Sequence, residues 1–514
     1  MQVQTLQYVL SPKEAHAAEQ KWRVVKRSVD ARQRELKVHL TLLADQTGNP
    51  VPKDAPIPLY APPVFQNVHN AKRQAIIIGA GPAGLFAALT LLEHGIKPVI
   101  YERGKEVSER KKDIALLNRN EGLNPESNYC FGEGGAGTFS DGKLFSRSKK
   151  RGNMQRVMEL FHYFGAPDTV LYEAHAHIGS DKLPTIIKRM RECIIEYGGE
   201  IHFETCITSL KNFKLPIANC QLPIILAIGH SAHDTYRMLA AEGVRLETKG
   251  FAMGVRVEHP QALINRLMYH LEISKSRNLE VINYVGNASY SLVTQVDGRG
   301  VYSFCMCPGG HIVPAGSEAG SCVVNGMSAS HRNSPYANSG IVVQINPEDI
   351  PGDDPLRGLE YQEALEKLAF SEANLSTISN QQSKIASALA PAQRLKDFVE
   401  GKSSKDMPAC SYLPGIVSSR LDQWLPAPIG HRLQQGFRDF NRKYPGFLTN
   451  DAVILGVESR SSSPVRIPRD PETLQSVSTP LLYPCGEGAG YAGGITSSAL
   501  DGINAALKIS ELES

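Results

Sequence analysis

The spacing of apolar positions changes several times along the chain, and each change predicts an element. Leu36, Val38, Leu40 and Leu42 alternate with Lys37, His39 and Thr41, a period of two that predicts a half-buried strand. A polar helical stretch over Lys13–Lys26 precedes it. Near residue 74 the pattern becomes strand–helix–strand. Ala75–Ile78 is apolar throughout, as a parallel strand covered on both faces should be. Helical spacing follows over Leu85–Glu93 and stops at His94-Gly95, and a second strand, Pro98–Tyr101, ends on Glu102.

A second α/β stretch runs from Lys182 to Gly229. Its helix, Ile186–Tyr197, stops at Gly198-Gly199, and strands Glu200–Thr205 and Ile224–Ile228 follow. Residues 250–450 differ. They mix strands (Ala252–Val257, Tyr302–Met306, Ile341–Ile345) with helices (Leu359–Leu368, His431–Lys443). The last 35 residues return to strand–loop–helix. The chain therefore divides into a small N-terminal α/β unit with linker (1–70), the first part of a nucleotide domain (71–250), an inserted α+β substrate domain (251–454) and the nucleotide domain's closing part (455–514). Asn49–Pro63, with six prolines, is the expected linker. Arg27, Arg32 and Arg34 beside it read as a solvated basic face or a docking face.

Length supports this division, since 514 residues exceed one core. The formal net charge of +3 is small for that length and implies neither a nucleic-acid surface nor a membrane anchor. No apolar run reaches the ~18–20 residues of a membrane span, and the opening segment lacks the basic-then-apolar pattern of an export signal. Nine dispersed cysteines without a CxxC pair suggest reduced thiols, a cytoplasmic location and no metal site.

The turn after Ala75–Ile78 reads Gly79-Ala80-Gly81-Pro82-Ala83-Gly84. Gly79 permits a tight strand-to-helix turn. Gly81, lacking a Cβ, lets a pyrophosphate approach. Gly84 and Ala88 allow close helix–strand packing. The helix start offers free N–H groups and a positive dipole to phosphates. Glu102 stands 18 residues after Gly84, where a carboxylate accepts hydrogen bonds from a ribose diol. The preceding strand, the second strand and this acid make the motif a dinucleotide site.

Glu102-Arg103-Gly104 resembles the glutathione-reductase-like flavoproteins, in which such a motif binds the ADP half of FAD. The segment Leu481–Ile495, with Gly486-Glu487 and Gly493-Gly494, resembles their second FAD motif, although many relatives carry Asp where Glu487 stands. The resemblance implies that the following helix aims its N-terminus at the flavin N1–C2=O edge. Ile224–Gly229 resembles, more loosely, the strand end where those chains return beside FAD. Ser28–Arg32, Phe131–Leu144, Cys307–Ala315, Val324–Ser328, Glu458–Ile467 and Cys485–Ile495 together resemble the family of uncharacterised FAD-dependent, or NAD(FAD)-utilizing, dehydrogenases. The expected fold is thus α/β: a Rossmann-type, glutathione-reductase-like FAD domain, an inserted α+β substrate domain and a small N-terminal α/β domain. Expected FAD contacts are Gly79, Gly81, Pro82, Ala83, Gly84, Glu102, Arg103, Gly134, Gly135, Gly137, Gly229, Gly486, Glu487, Gly494 and Ile495.

Three features are candidates for chemistry. Cys305 and Cys307 share a strand face, although regular strand geometry separates their Cα atoms by ~6.5–7 Å, the edge of disulfide reach. His311, just beyond, is a candidate proton donor. Arg460 and Arg466 form either a clamp for an anionic substrate or a salt-bridge network. The expected activity is that of an FAD-dependent oxidoreductase passing hydride or electrons through flavin N5. No second GxGxxG unit lies between 230 and 455, so NAD(P)H, if used, binds transiently beside a small-molecule substrate. A structural flavin in a binding module and a flavin-dependent RNA-modifying enzyme are the rival expectations, although no nucleic-acid or membrane partner is expected.

Overall fold

The computed structural model describes residues 4–33, 35–145, 152–213, 222–270, 277–378 and 388–512; Arg34 and Cys220 lie outside them. Five parallel strands form one sheet, in the order Leu482–Pro484, Ile224–Leu226, Gln74–Ile78, Lys97–Tyr101, Glu200–His202. This is the order of a doubly wound sheet, which reverses direction beside its first strand. Alternate residues serve opposite faces. Ala75, Ile77, Ile100 and Ile225 join one buried cluster, with helices Pro82–Glu93, Leu183–Glu196 and Ile495–Ser510. Ile76, Ile78, Val99 and Leu226 join another, with helix His233–Ala241. Covering both faces explains the uninterrupted apolar strand.

A mixed seven-stranded sheet carries the inserted unit, in the order Val293–Val296, Arg299–Cys307, Tyr336–Ile345, Phe251–Pro260, Val453–Glu458, Ala390–Arg394, Ile416–Ser418. Helix Ala427–Lys443 lays Ile429, Leu433, Phe437 and Phe440 on it, beside Val255, Val257 and Val301. Because Val453–Glu458 pairs with Phe251–Pro260, the insertion runs through Glu458 rather than ending at 454.

The N-terminal unit is a three-stranded antiparallel sheet, Gln4–Leu10, Lys37–Ala44, Val24–Asp30, with helix Pro12–Lys21 upon it. Val38, Leu40 and Leu42 are buried beneath that helix as their alternation predicts. The expected helix over Lys13–Lys26 stops early. Ser11 and Glu14 form its capping box, and beyond Lys21 the β-branched Val24 and Val29 pair with the central strand. The linker is also shorter than expected. Val51 pairs back with Arg23 and Leu43, whereas Phe65 and Val68 belong to the nucleotide domain's core. Arg27 is not solvated. It is buried between Glu19 (2.8 Å) and Glu173 (2.7 Å), docking the N-terminal sheet on the nucleotide domain. No described helix is long and apolar enough to cross a membrane.

Candidate functional site

Four glycine-bearing turns meet at the C-terminal edge of the parallel sheet, where doubly wound folds bind ligands. The first is Gly79–Gly84. At Gly79 φ is +102°, and a Cβ there would lie 2.4 Å from the Ala227 carbonyl oxygen. A Cβ at Gly84 would lie 2.0 Å from the Gly79 oxygen. Both glycines are therefore demanded by the turn itself. Gly81 is different, since a Cβ there would meet nothing closer than the Gly135 Cα at 3.9 Å. No side chain caps the helix that starts at Pro82, so its N-terminus remains available to an anion.

The second turn lies in Phe131–Leu144. The Gly134 amide donates to Ala80 O (2.8 Å). A Cβ at Gly135 would be 3.1 Å from the Gly81 Cα, and one at Gly137 would be 3.1 Å from the Ile495 side chain. Arg110, fully buried, holds this loop. Its guanidinium donates to the carbonyls of Asn128, Tyr129, Gly132, Glu133 and Gly135 at 2.8–3.2 Å. Burial lowers the Arg110 pKa to about 10. Arg110 has no signal in the local pattern, because its partners are carbonyls 18 to 25 residues away.

The third and fourth turns touch each other. A Cβ on Gly488 would lie 2.3 Å from the Gly229 oxygen, and one on Gly486 would lie 3.1 Å from the Ala83 Cβ. The Gly486 amide donates to Asp501 (2.8 Å), which also pairs with Arg469. Glu487 lies 3.6 Å from His230. Gly494, at φ +149°, has open space where a Cβ would be and leads into Ile495–Ser510, a second helix without a side-chain cap.

Two residues expected to contact FAD also bind the protein itself. Glu102 accepts from the amides of Ala80 (2.8 Å), Gly104 (2.9 Å) and Gly132 (3.0 Å), tying the first turn to the second. Arg103 pairs with Glu126 and Asp234 at 2.7–3.0 Å and lies over the Phe131 ring. It braces the site's edge and has no free fork for a phosphate. The remaining features suit an extended dinucleotide: two uncapped helix starts, open backbone at Gly81 and Gly494, and close-packed glycines between.

A second cluster adjoins this cradle. Leu144 O accepts from Thr496 in the first turn of the C-terminal helix (2.8 Å). The adjoining Lys143 reaches the other way and puts its Nζ 3.8 Å from Cys307 Sγ. Arg256, fully buried, donates to the Cys305 carbonyl (2.8 Å), points at Cys307 Sγ (3.7 Å) and pairs with Glu458 (2.8 Å). Asp141 sits between Lys143 (3.2 Å) and Arg332. Burial alone would raise the Asp141 pKa, but these two cations hold it well below the usual carboxylate range. A hydrogen bond from Cys307, with Lys143 and Arg256 nearby, pushes the Cys305 thiol down despite burial; the same bond and burial push Cys307 up. Arg256 was not among the sequence-derived candidates.

The other candidates fall differently. His311 starts a strand paired with Val324–Met327, and its side chain is exposed. Arg460 is buried, with Glu366 accepting at 2.8 and 2.9 Å and Ser317 at 2.7 Å. Its guanidinium is a structural tie, the network alternative, and not a substrate clamp. Arg466 is exposed beside the Tyr491 ring, over the Gly490 turn. Among the described residues His233, Glu318 and Glu363 have metal-like spacing. Arg237, however, takes Glu363 through two bonds of 2.7 and 2.8 Å, which makes the group an ion network.

Residues 72–127 match the model of an FAD binding domain, and residues 250–461 match that of the FAD-dependent protein, C-terminal domain-like family. An uncharacterized protein of Clostridium beijerinckii is 41% identical over 461 residues, 87% of this chain and 83% of that one. The chain belongs to this family of FAD-dependent proteins. Its cofactor is FAD, and the cradle's open backbone and uncapped helices are the features that suit it. Similar solved structures include halogenase PltM (12% identity, TM-score 0.32, 85% of this chain and 68% of that one) and CtdE in complex with FAD and substrate 4 (10% identity, TM-score 0.29, 85% and 80%). Scores this low carry no argument about this chain's activity.

Proposed function

We propose that this FAD-dependent protein is an oxidoreductase that moves hydride or electrons through flavin N5, with its sheet a Rossmann-type, glutathione-reductase-like FAD domain. One observation carries the reading. The same loop, Phe131–Leu144, both lines the FAD cradle through Gly135 and Gly137 and delivers Lys143 to a buried ionic cluster in the inserted domain. A purely structural flavin needs no charged cluster at its open end. Bound FAD supplies the electron chemistry, while the chain supplies position and fixed charge. The C-terminal helix starts uncapped after Gly494, and a flavin ring held there would have its anionic reduced form favoured by the positive potential of that helix start. The substrate reaches this end from the inserted domain, and NAD(P)H, if it is the donor, uses the same opening. Stopped-flow mixing of the FAD-loaded protein with NADH and NADPH without oxygen tests this. Bleaching of the flavin band is expected. A flavin that no small-molecule donor reduces would leave FAD a structural part and end the reading.

A further inference from the structure

Two short strands carry the chain between the nucleotide domain and the inserted sheet. Glu247–Thr248 leads into Phe251–Pro260, and Val465–Arg466 returns from Val453–Glu458. They pair antiparallel, Thr248 with Val465 and Glu247 with Arg466. The Lys249 amide continues the ladder by donating to the Pro464 carbonyl (2.8 Å). Lys249 thus stands opposite Pro464, two places from Arg466, which puts both side chains on one face of the ribbon. The C-terminal glycine turn packs against this crossing. A Cβ at Gly490, φ +82°, would lie 3.0 Å from the Val465 carbonyl oxygen and 3.2 Å from both the Arg466 Cα and the Lys249 Cδ. The Gly490 amide donates to the Glu487 carbonyl (3.0 Å), so the two cations adjoin the turn that carries Glu487.

Among the described residues neither cation is paired with an acid. Lys249 is half-buried, and its Nζ reaches only the carbonyls of Gly250 and Ser463, both at 3.4 Å. Arg466 makes neither hydrogen bond nor ion pair among the described residues, and its guanidinium lies 5.7 Å from the centre of the Tyr491 ring. Glu247, across from Arg466, pairs instead with Arg245 (3.0 Å). Burial and the charge of Arg466 push the Lys249 amine down, against the pull of Glu487. The buried arginines nearby are matched: Glu458 takes Arg256, Glu366 takes Arg460 and Asp501 takes Arg469. A half-buried charge beside a like charge is unfavourable until an anion joins them. A guanidinium fork with an ammonium is a donor set suited to phosphate.

The pair does not face the helix starts that suit the FAD pyrophosphate. Ala83 and Ile495, at those two starts, belong to one core cluster, whereas Ala489 and Val465 belong to the cluster on the opposite face of the sheet. Lys249 and Arg466 therefore lie across the glycine turn from the cradle, where the chain crosses to the inserted domain.

We propose that Lys249 and Arg466 form a subsite for a phosphate monoester carried by the molecule that exchanges electrons with bound FAD. The role of that molecule rests on the oxidoreductase reading above. A phosphate monoester brings about two negative charges at neutral pH, which the two cations balance. A nucleotide donor with a phosphate on its ribose and a phosphorylated substrate present this same group.

Titration calorimetry of the FAD-loaded protein with inorganic phosphate, at fixed ionic strength, reads the subsite directly. Wild type should bind phosphate saturably. Lys249→Gln and Arg466→Gln should each weaken binding about tenfold or more, as loss of a charge-assisted hydrogen bond does, while Lys249→Arg keeps most of it. FAD content should be equal in all four proteins. Wild type that binds no phosphate would overturn the subsite, as would Gln variants that bind it equally well. Loss of FAD from those variants would also overturn it, by giving the pair to the cofactor's own phosphates. Reduction without oxygen by NADPH and NADH separates the two sources. A preference for NADPH that collapses in Arg466→Gln assigns the phosphate to the donor. Equal rates with both donors, with phosphate binding still lost in the variant, assign it to the substrate. If neither donor reduces the flavin, the oxidoreductase reading fails, and the phosphate titration decides the subsite on its own.

Discussion

Arg469 and Asp501 form a buried two-bond ion pair, at 2.7 and 3.0 Å, beneath the C-terminal glycine turn. Asp501 uses the same carboxylate to accept the Gly486 amide, so the pair sets the turn that faces FAD. Asp501→Asn keeps an acceptor for Gly486 but leaves the Arg469 charge buried without its counter-charge, a loss of ~3–5 kcal/mol. Urea unfolding should show it, together with weaker FAD binding. Adding Arg469→Met removes the stranded charge, so the double variant should be more stable than Asp501→Asn alone.

Gly81 and Gly84 should separate cofactor binding from folding. The space around a Cβ at Gly81 is open, whereas one at Gly84 would press on the Gly79 carbonyl. Gly81→Ala should melt within a degree or two of wild type when FAD-free. It should nevertheless bind FAD about tenfold or more weakly, because the methyl holds phosphate off the helix amides and a charge-assisted hydrogen bond contributes ~1.5–3 kcal/mol. Gly84→Ala should lose both properties. Thermal melts with FAD titration by flavin fluorescence read the two variants together.

Arg110 makes a further prediction. Arg110→Met strands the carbonyls of Asn128 and Tyr129 and takes one donor from those of Gly132, Glu133 and Gly135, which keep bonds from the Gly135 amide, the Thr138 hydroxyl and the Thr138 amide. At ~1–3 kcal/mol for each stranded carbonyl, this is a large share of the stability of a domain, ~5–15 kcal/mol. The loop at 128–137 should become cleavable by protease and FAD should not be retained. Arg110→Lys keeps the charge but brings three donors from a single point, and should fall between.

Stability should carry a pH signature from Glu258. Burial raises its pKa to about 7, against hydrogen bonds from the Ser411 amide and hydroxyl. The folded protein therefore holds this proton where the unfolded chain, titrating near 4.3, has released it. Glu258 thus makes stability fall as pH rises from about 4.3 to about 7, by on the order of 3 kcal/mol. His259, lowered to about 4 by burial, acts oppositely over part of this window. The difference between wild type and Glu258→Gln isolates the glutamate: the variant should gain relative stability from pH 5 to 7. A constant difference across that range would refute the assignment.

The sequence by itself determined the nucleotide half of this protein. Apolar runs, glycine spacing and the acid at Glu102 are local features, because the turn from Ile78 into the helix at Pro82 is decided by sterics among neighbours. The five parallel strands and the glycines of all four turns were therefore legible, as was the alternation that buries Val38, Leu40 and Leu42. The strand Val24–Asp30 was not, since pairing with Lys37–Ala44 overrode its helical surroundings. Tertiary structure alone decided which charges meet. Lys143 finds Cys307 across 164 residues, Arg256 finds Glu458 across 202, and Arg469 finds Asp501 across 32. It also turned Glu102 and Arg103 toward the protein's own amides and carboxylates, and Arg460 toward Glu366. Period and spacing describe how a segment folds on itself. An ion pair or a thiol's charge environment depends on what another segment brings beside it, and only the packed chain fixes that.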